Sequence, residues 1–248
     1  MNTILYKNSF FIGEHLMFKT EKEVEKYLIR QGVIKKGHFV YTNGGHGSIY
    51  INIKDISKCV GDLIPLAAKM ATQIENLKVD AIVGTPHGAD TLAVLVALYY
   101  GIFSGHQILL LKAVKKNNKI IWYKDNGKNI AKKNIVIVED VINTGRSIKE
   151  VVRELIWKHN GNLILCLVVC SRQSKQQLSN LEKELKAPIK ALTTIEAENY
   201  PINLNSHPND QCPLCKQGIP MNTNIGYGEK FLNNIKNIYP DLYQKLKK

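Results

Sequence analysis

Apolar positions along this chain fall into two kinds of segment. Short apolar-rich runs read as strands, at residues 79–83, 107–114, 135–138, 163–170 and 189–194, the 135–138 run being wholly β-branched. Between them lie longer segments whose apolar residues recur three and four positions apart, the spacing of a helix with one buried face. Residues 21–31 show this with Val24, Tyr27 and Leu28 on one side and Thr20 as the cap. Residues 62–77, with Pro65 in the first turn, residues 89–100, 173–185 and a stretch from Thr144 through Leu155 are further predicted helices. Residues 38–41 and 49–53 read as an early strand pair, and residues 119–123 as a strand after a polar, lysine-rich connection.

Strands alternating with helices predict an α/β fold, a central and mainly parallel sheet with helices on both faces. The N-terminal strands and the tail are expected to add a small hood. From Glu196 the composition shifts to Asn, Pro, Gly and Ser, so the expected division is a domain over residues 1–195 and a loop-rich extension over 196–248. Short helices are predicted after residue 228, separated at Pro240.

The 248 residues suffice for one sizeable core with an appendage. A 44% hydrophobic and 22% charged composition is that of a globular protein, and no apolar stretch has the length of a membrane span. The five cysteines, Cys59, Cys166, Cys170, Cys212 and Cys215, make no disulfide framework, which points to a reducing cytoplasm. Cys166 and Cys170 lie in an apolar run and are expected in the core. The net charge of +13 is spread along the chain, which disfavours nucleic-acid binding and suits a polyanionic substrate.

Candidate chemistry concentrates after the 135–138 run. Glu139 and Asp140 follow it directly, then Val141, Ile142, Asn143, Thr144, Gly145, Arg146 and Ser147 lead into a helix. A helix start carries free N–H groups that receive anions, Gly145 permits close backbone approach, and Thr144 and Ser147 add hydroxyl donors. Carboxylates cannot favour a phosphate, but they suit sugar hydroxyls or waters on a Mg²⁺ ion. A second glycine-bearing exit loop, Thr85, Pro86, His87 and Gly88, offers backbone N–H groups to an anion at the same sheet edge.

The thirteen residues from Ile135 to Ser147 resemble the phosphoribosyl-diphosphate (PRPP) motif of type I phosphoribosyltransferases, and the stretch from about residue 21 to about 195 is most similar to the orotate phosphoribosyltransferases. That resemblance implies a type I phosphoribosyltransferase-like fold and Mg²⁺-dependent transfer of ribose 5-phosphate from PRPP to a base, orotate first, in pyrimidine synthesis. By the same resemblance the 144–147 segment binds the 5′-phosphate, Glu139 and Asp140 the ribose hydroxyls, and Thr85 to Gly88 the pyrophosphate. Lys112, Lys115 and Lys116 match the lysines around the family's catalytic loop, which closes over a neighbouring subunit and so implies a homodimer. Here Asn117-Asn118 stands where the family has His-Gly, and the loop is short.

The base contacts implied are Tyr50, Arg172 and Asn143. His46 stands in as the basic group, because Thr42 occupies a position where many members have lysine. Those departures keep two other readings open: transfer to another nucleobase, and a non-catalytic PRPP-sensing or RNA-binding regulator on the same fold. Cys212-Pro213-Leu214-Cys215 has the spacing of a zinc half-site, with His207 as a candidate third ligand. No second CxxC completes a set of four, so a structural turn in the tail is preferred over a zinc site or a redox pair.

Overall fold

The computed structural model describes residues 18–41, 43–53, 59–86, 88–117, 119–125 and 129–247. A six-stranded sheet carries the fold. Its strands are β3 (Ala81–Gly84), β4 (Leu109–Lys116), β5 (Lys119–Trp122), β6 (Asn134–Ile142), β7 (Asn162–Ser171) and β8 (Ile189–Thr194). They lie in the order β5-β4-β3-β6-β7-β8, all parallel except β5, which runs antiparallel along β4. The sheet is therefore mixed, with one antiparallel edge.

Both faces are buried because the strands are apolar on both sides. In β6, Val136 and Val138 pack into one core with α1 (Glu21–Arg30), α2 (Val60–Thr72) and α3 (Asp90–Ser104). Ile135 and Ile137 face a second core with α4 (Arg146–Val151), its continuation to His159, and α5 (Lys175–Leu185). Alternation with period two explains the split. Cys170 joins the first core and Cys166 the second, so burial lifts both thiols, that of Cys170 to about 12. The helix around Pro65 starts at Val60, two residues earlier than its pattern predicts. Pro65 thus sits inside α2, where burial of Leu63, Leu66 and Met70 on the first core offsets the missing N–H.

The hood begins as a hairpin of β1 (Ile34–Val40) and β2 (His46–Ile51). Its second strand starts three residues before the predicted one, so His46, Gly47 and Ser48 are strand rather than loop. Gly47 is required there: a Cβ would collide with the Tyr41 hydroxyl and the Glu198 carbonyl. The tail folds back onto this hairpin. His46 and Tyr200 exchange backbone hydrogen bonds of 2.8 Å, and Asn222 N donates to the His38 carbonyl. Short helices α6 (Pro208–Gln211) and α7 (Pro213–Lys216), then α8 (Gly228–Ile235) and α9 (Pro240–Leu246), enclose a small third core with Val40, Met221, Phe231 and Ile235.

Candidate functional site

The sheet order reverses between β3 and β6. From β3 the chain crosses to β4 on one side, and from β6 it crosses to β7 on the other. Such a switch point leaves a crevice at the carboxyl ends of the two strands. The two loops singled out by sequence meet in that crevice. Thr85 N donates to the Val138 carbonyl at 3.0 Å, and the Thr85 hydroxyl donates to Glu139 Oε1 at 2.6 Å. Gly88 lies so close to the Asp140 carboxylate that a Cβ would sit 2.5 Å from Oδ2. His87 and Thr42 lie outside the described residues.

The two carboxylates differ in environment. Glu139 is buried, and Asp140 is half-buried. Burial lifts the Glu139 carboxyl well above the ordinary carboxylate range, and the neighbouring Asp140 charge lifts it further, against the hydrogen bond from Thr85. Asp140 Oδ1 accepts from Val141 N at 2.6 Å. A proton on Glu139 would relieve the repulsion between the two carboxyls.

That arrangement has a pH consequence. A carboxyl raised in the folded state contributes most stability below its unfolded value, and loses it as pH rises through the folded value. Glu139→Gln keeps an acceptor for Thr85 and a donor toward Asp140 without the charge. Its melting temperature is expected to match the parent in mild acid and to exceed it by a few degrees at alkaline pH. Thermal melts across that range test this; a difference that does not grow with pH would show that Glu139 is not held protonated.

The remaining motif residues separate into backbone and side-chain contributors. Val141 and Ile142 finish β6 and present apolar side chains, so only their backbone can meet a polar ligand. Gly145 caps α4 in a left-handed conformation (φ 71°), and a Cβ there would press on Leu181. Thr144 and Ser147 are exposed. Arg146 points outward and pairs with Glu150 at 2.8 Å, an exposed i,i+4 contact of small worth.

A cavity of about 490 Å³ opens beside this loop, lined among others by Tyr50, Asn143, Thr144, Arg172 and Tyr227. Arg172 follows β7; its Nη1 donates to Asn143 Oδ1 at 3.2 Å and its guanidinium lies over the Tyr41 ring at 4.5 Å. Its Nε is buried with no hydrogen-bond partner among the described residues. Tyr50 packs beside Phe39 at a ring separation of 5.5 Å. Sequence reasoning missed Tyr41 and the tail residues Gly226 and Tyr227, which reach this cavity only by folding back: Tyr227 N donates to the Val40 carbonyl.

His46 is not in this cavity's wall, which corrects its assignment to the base. Strand pairing turns its ring to the other side of the hairpin, where it is fully buried against Phe231 at 4.4 Å. There it meets His38, Cys212 and Cys215. Burial holds the His46 imidazole below its ordinary value, and contacts with Cys215, then His38 and His46, pull the Cys212 thiol down. His207 is elsewhere: it caps α6, its Nδ1 accepting from Asn209 N.

The lysines stand on the β4–β5 hairpin. Lys116 pairs with Lys119, so the predicted connection is only Asn117 and Asn118, with Asn117 left-handed. Lys112 pairs with Gly84, one residue before Thr85, and its ammonium lies 5.4 Å from the Tyr123 ring centre. Lys115 and Lys116 extend past it at the same sheet edge, exposed.

The switch-point crevice and its two loops define the class. The phosphoribosyl transferase domain model matches residues 50–198, and the chain belongs to that family. An orotate phosphoribosyltransferase from Thermoanaerobacter sp. (strain X514) is 28% identical over 204 residues, 81% of this chain and 95% of that protein. Among solved structures, the orotate phosphoribosyltransferase of Aeropyrum pernix superposes with a TM-score of 0.56 at 19% identity, covering 70% of this chain and 94% of that one. The adenine phosphoribosyltransferase of Saccharomyces cerevisiae gives 0.50 at 19%, covering 68% and 99%. The two structures share the fold and differ in the base that their names carry. No helix among the described residues is long and apolar enough to cross a membrane.

Proposed function

We propose that this phosphoribosyltransferase transfers ribose 5-phosphate from PRPP to orotate, giving orotidine 5′-monophosphate and pyrophosphate. The observation that carries the reading is the junction of the Thr85 loop with Glu139 and Asp140, beside a cavity lined by Arg172. The names of the relatives support orotate as the acceptor.

In this reading the backbone from Val141 to Gly145 and the hydroxyls of Thr144 and Ser147 receive the 5′-phosphate. Asp140 holds the ribose hydroxyls, with Glu139 fixing it from behind. The orotate nitrogen bonds to the ribose C1 and gives up its proton to water or to the leaving group, as the C1–oxygen bond breaks and pyrophosphate leaves with the electron pair. Positive charge grows on the ribose, and Asp140 is the carboxylate placed to stabilise it. Thr85 to Gly88 and Lys112, Lys115 and Lys116 offset the charge of the leaving group. Arg172 pairs with the base carboxylate, with Tyr50 and Asn143 beside it. The half-buried Asp140 oxygens are hard donors that fit Mg²⁺, with substrate oxygens as the other ligands. When bound, the ion neutralises pyrophosphate charge.

The reading includes a homodimer. What supports it is the exposed face of α3, where Val94, Leu98 and Ile102 are 47%, 55% and 62% accessible at four-residue spacing. Sedimentation showing monomer at assay concentration would count against it.

The test is pyrophosphate release from PRPP and Mg²⁺ with orotate, uracil, hypoxanthine, adenine and guanine in parallel. Release with orotate is expected to be faster by orders of magnitude than the slow release with uracil or any other base. Fastest release with a different base would move the specificity, and release with none would remove the catalytic reading.

A further inference from the structure

Four buried side chains outside the crevice converge on one point. His38, His46, Cys212 and Cys215 offer ligand atoms that all lie within 4.8 Å of one another. We propose that these residues form a closed structural site for one zinc ion, which ties the tail to the hood hairpin.

Four of the six separations approach those of a coordination polyhedron, and all six lie within 4.8 Å. His38 Nε2 and His46 Nδ1 are 3.0 Å apart, Cys215 Sγ is 3.4 Å from His46 Nδ1 and 3.8 Å from His38 Nε2, and Cys212 Sγ is 3.9 Å from His38 Nε2. Zinc–nitrogen and zinc–sulfur bonds of roughly 2.0 and 2.3 Å place tetrahedral ligands about 3.3–3.8 Å apart. Two thiols and two imidazoles are the donor set zinc takes in closed sites, and four protein ligands leave no position open for chemistry.

The surroundings orient the ligands. His38 Nδ1 lies 2.9 Å from the Ile219 carbonyl, so it carries the proton and Nε2 faces the cluster with its lone pair. Hairpin pairing sets the two histidines on one face: His46 is opposite Val40, and His38 is two residues before it on the same strand. Cys212 and Cys215 flank the first turn of α7, with Lys216 N donating to the Cys212 carbonyl and Gly218, at φ 66°, closing the turn. Without an ion, the one good hydrogen bond within the cluster is that between the two imidazoles, and the thiols make only weak contacts at full burial. A dication gives the cluster-facing atom of each a partner, while His46 Nε2, on the far side of its ring, is buried without one among the described residues.

The site has a structural task. The third core is small, and minor cores of this size commonly need a metal or a disulfide. All four ligands lie outside residues 50–198, the span of the matched domain. The extension thus carries its own fastening. Through Val40 and the Tyr227 hydrogen bond, that fastening also holds one wall of the Arg172 cavity. None of this depends on which base is accepted.

The experiment is metal analysis of the full chain purified in reductant without chelator. About one zinc per chain is expected. After stripping, cobalt should give intense tetrahedral d–d bands and thiolate-to-cobalt charge transfer, a readout that does not require a folded variant. Cys215→Ser and His38→Gln should lose the metal and melt lower, while His207→Gln should keep it. A stripped chain that takes up less than about a tenth of an equivalent of offered zinc would overturn the proposal. So would a cobalt spectrum without thiolate charge transfer, or a Cys212–Cys215 disulfide persisting in reductant.

Discussion

Asp140→Asn is expected to lower turnover by about two to three orders of magnitude while leaving the melting temperature within a few degrees of the parent. The physical ground is the pairing of two unequal carboxylates. Burial disfavours charge on Glu139, while Asp140 lies half-buried beside Gly88 at the crevice. Asparagine has the same shape and can still accept from Val141 N, so the loop should hold. What it lacks is charge complementary to a ribose that becomes positive in the transition state. The loss should appear in turnover at saturating PRPP, with the Michaelis constant changing little. Unchanged turnover under those conditions would remove Asp140 from the mechanism.

The second large effect is expected from Arg172→Ala. The guanidinium is held from two sides, by Asn143 Oδ1 and by the face of Tyr41, while its Nε remains without a partner. A preorganised arginine with a spare donor suits a planar carboxylate. Removing it should cut kcat/KM for orotate by about a hundredfold, since charge-assisted hydrogen bonds contribute roughly 1.5–3 kcal/mol each. Activity with uracil, which has no carboxylate, should change far less, so discrimination between the two should collapse. Arg172→Lys should restore little of it, because an ammonium cannot reproduce the fork. Equal losses with both bases would mean that Arg172 supports Tyr41 and the loop rather than recognising the acceptor.

Much of the fold was legible because its signals are local. The run of Ile135 to Val138 could only be a strand buried on both faces, and the structure pairs it between β3 and β7. Thr20 marked the start of α1 by its side-chain oxygen, which accepts from Glu23 N. Gly145 was legible as a position for close backbone approach, but its left-handed cap on α4 beside Leu181 was visible only in the structure. Element ends were less legible. β6 continues through Glu139 to Ile142, since ladder pairing to β7, rather than residue polarity, decides where a strand stops.

His46 shows the other limit. Between glycines it has the look of a loop residue, and its neighbours resemble a substrate segment. Its face depends on register, and register depends on which partner residue lies opposite; a shift of one position would have turned it to the base cavity. Cys212 and Cys215 carried half a signal, and the missing half lay 174 positions away in His38. His207, nearer in sequence, had already a local use as a helix cap.

The sequence by itself determined the strands, the helices and the motif that opens α4, because periodicity, capping and glycine conformation act over a few residues. Only the tertiary structure decided that the Thr85 loop closes on Glu139, that Tyr41 supports Arg172, and that two histidines meet two cysteines. Those meetings are set by sheet order, by hairpin register and by the return of the tail, and each is a property of distant segments packed together.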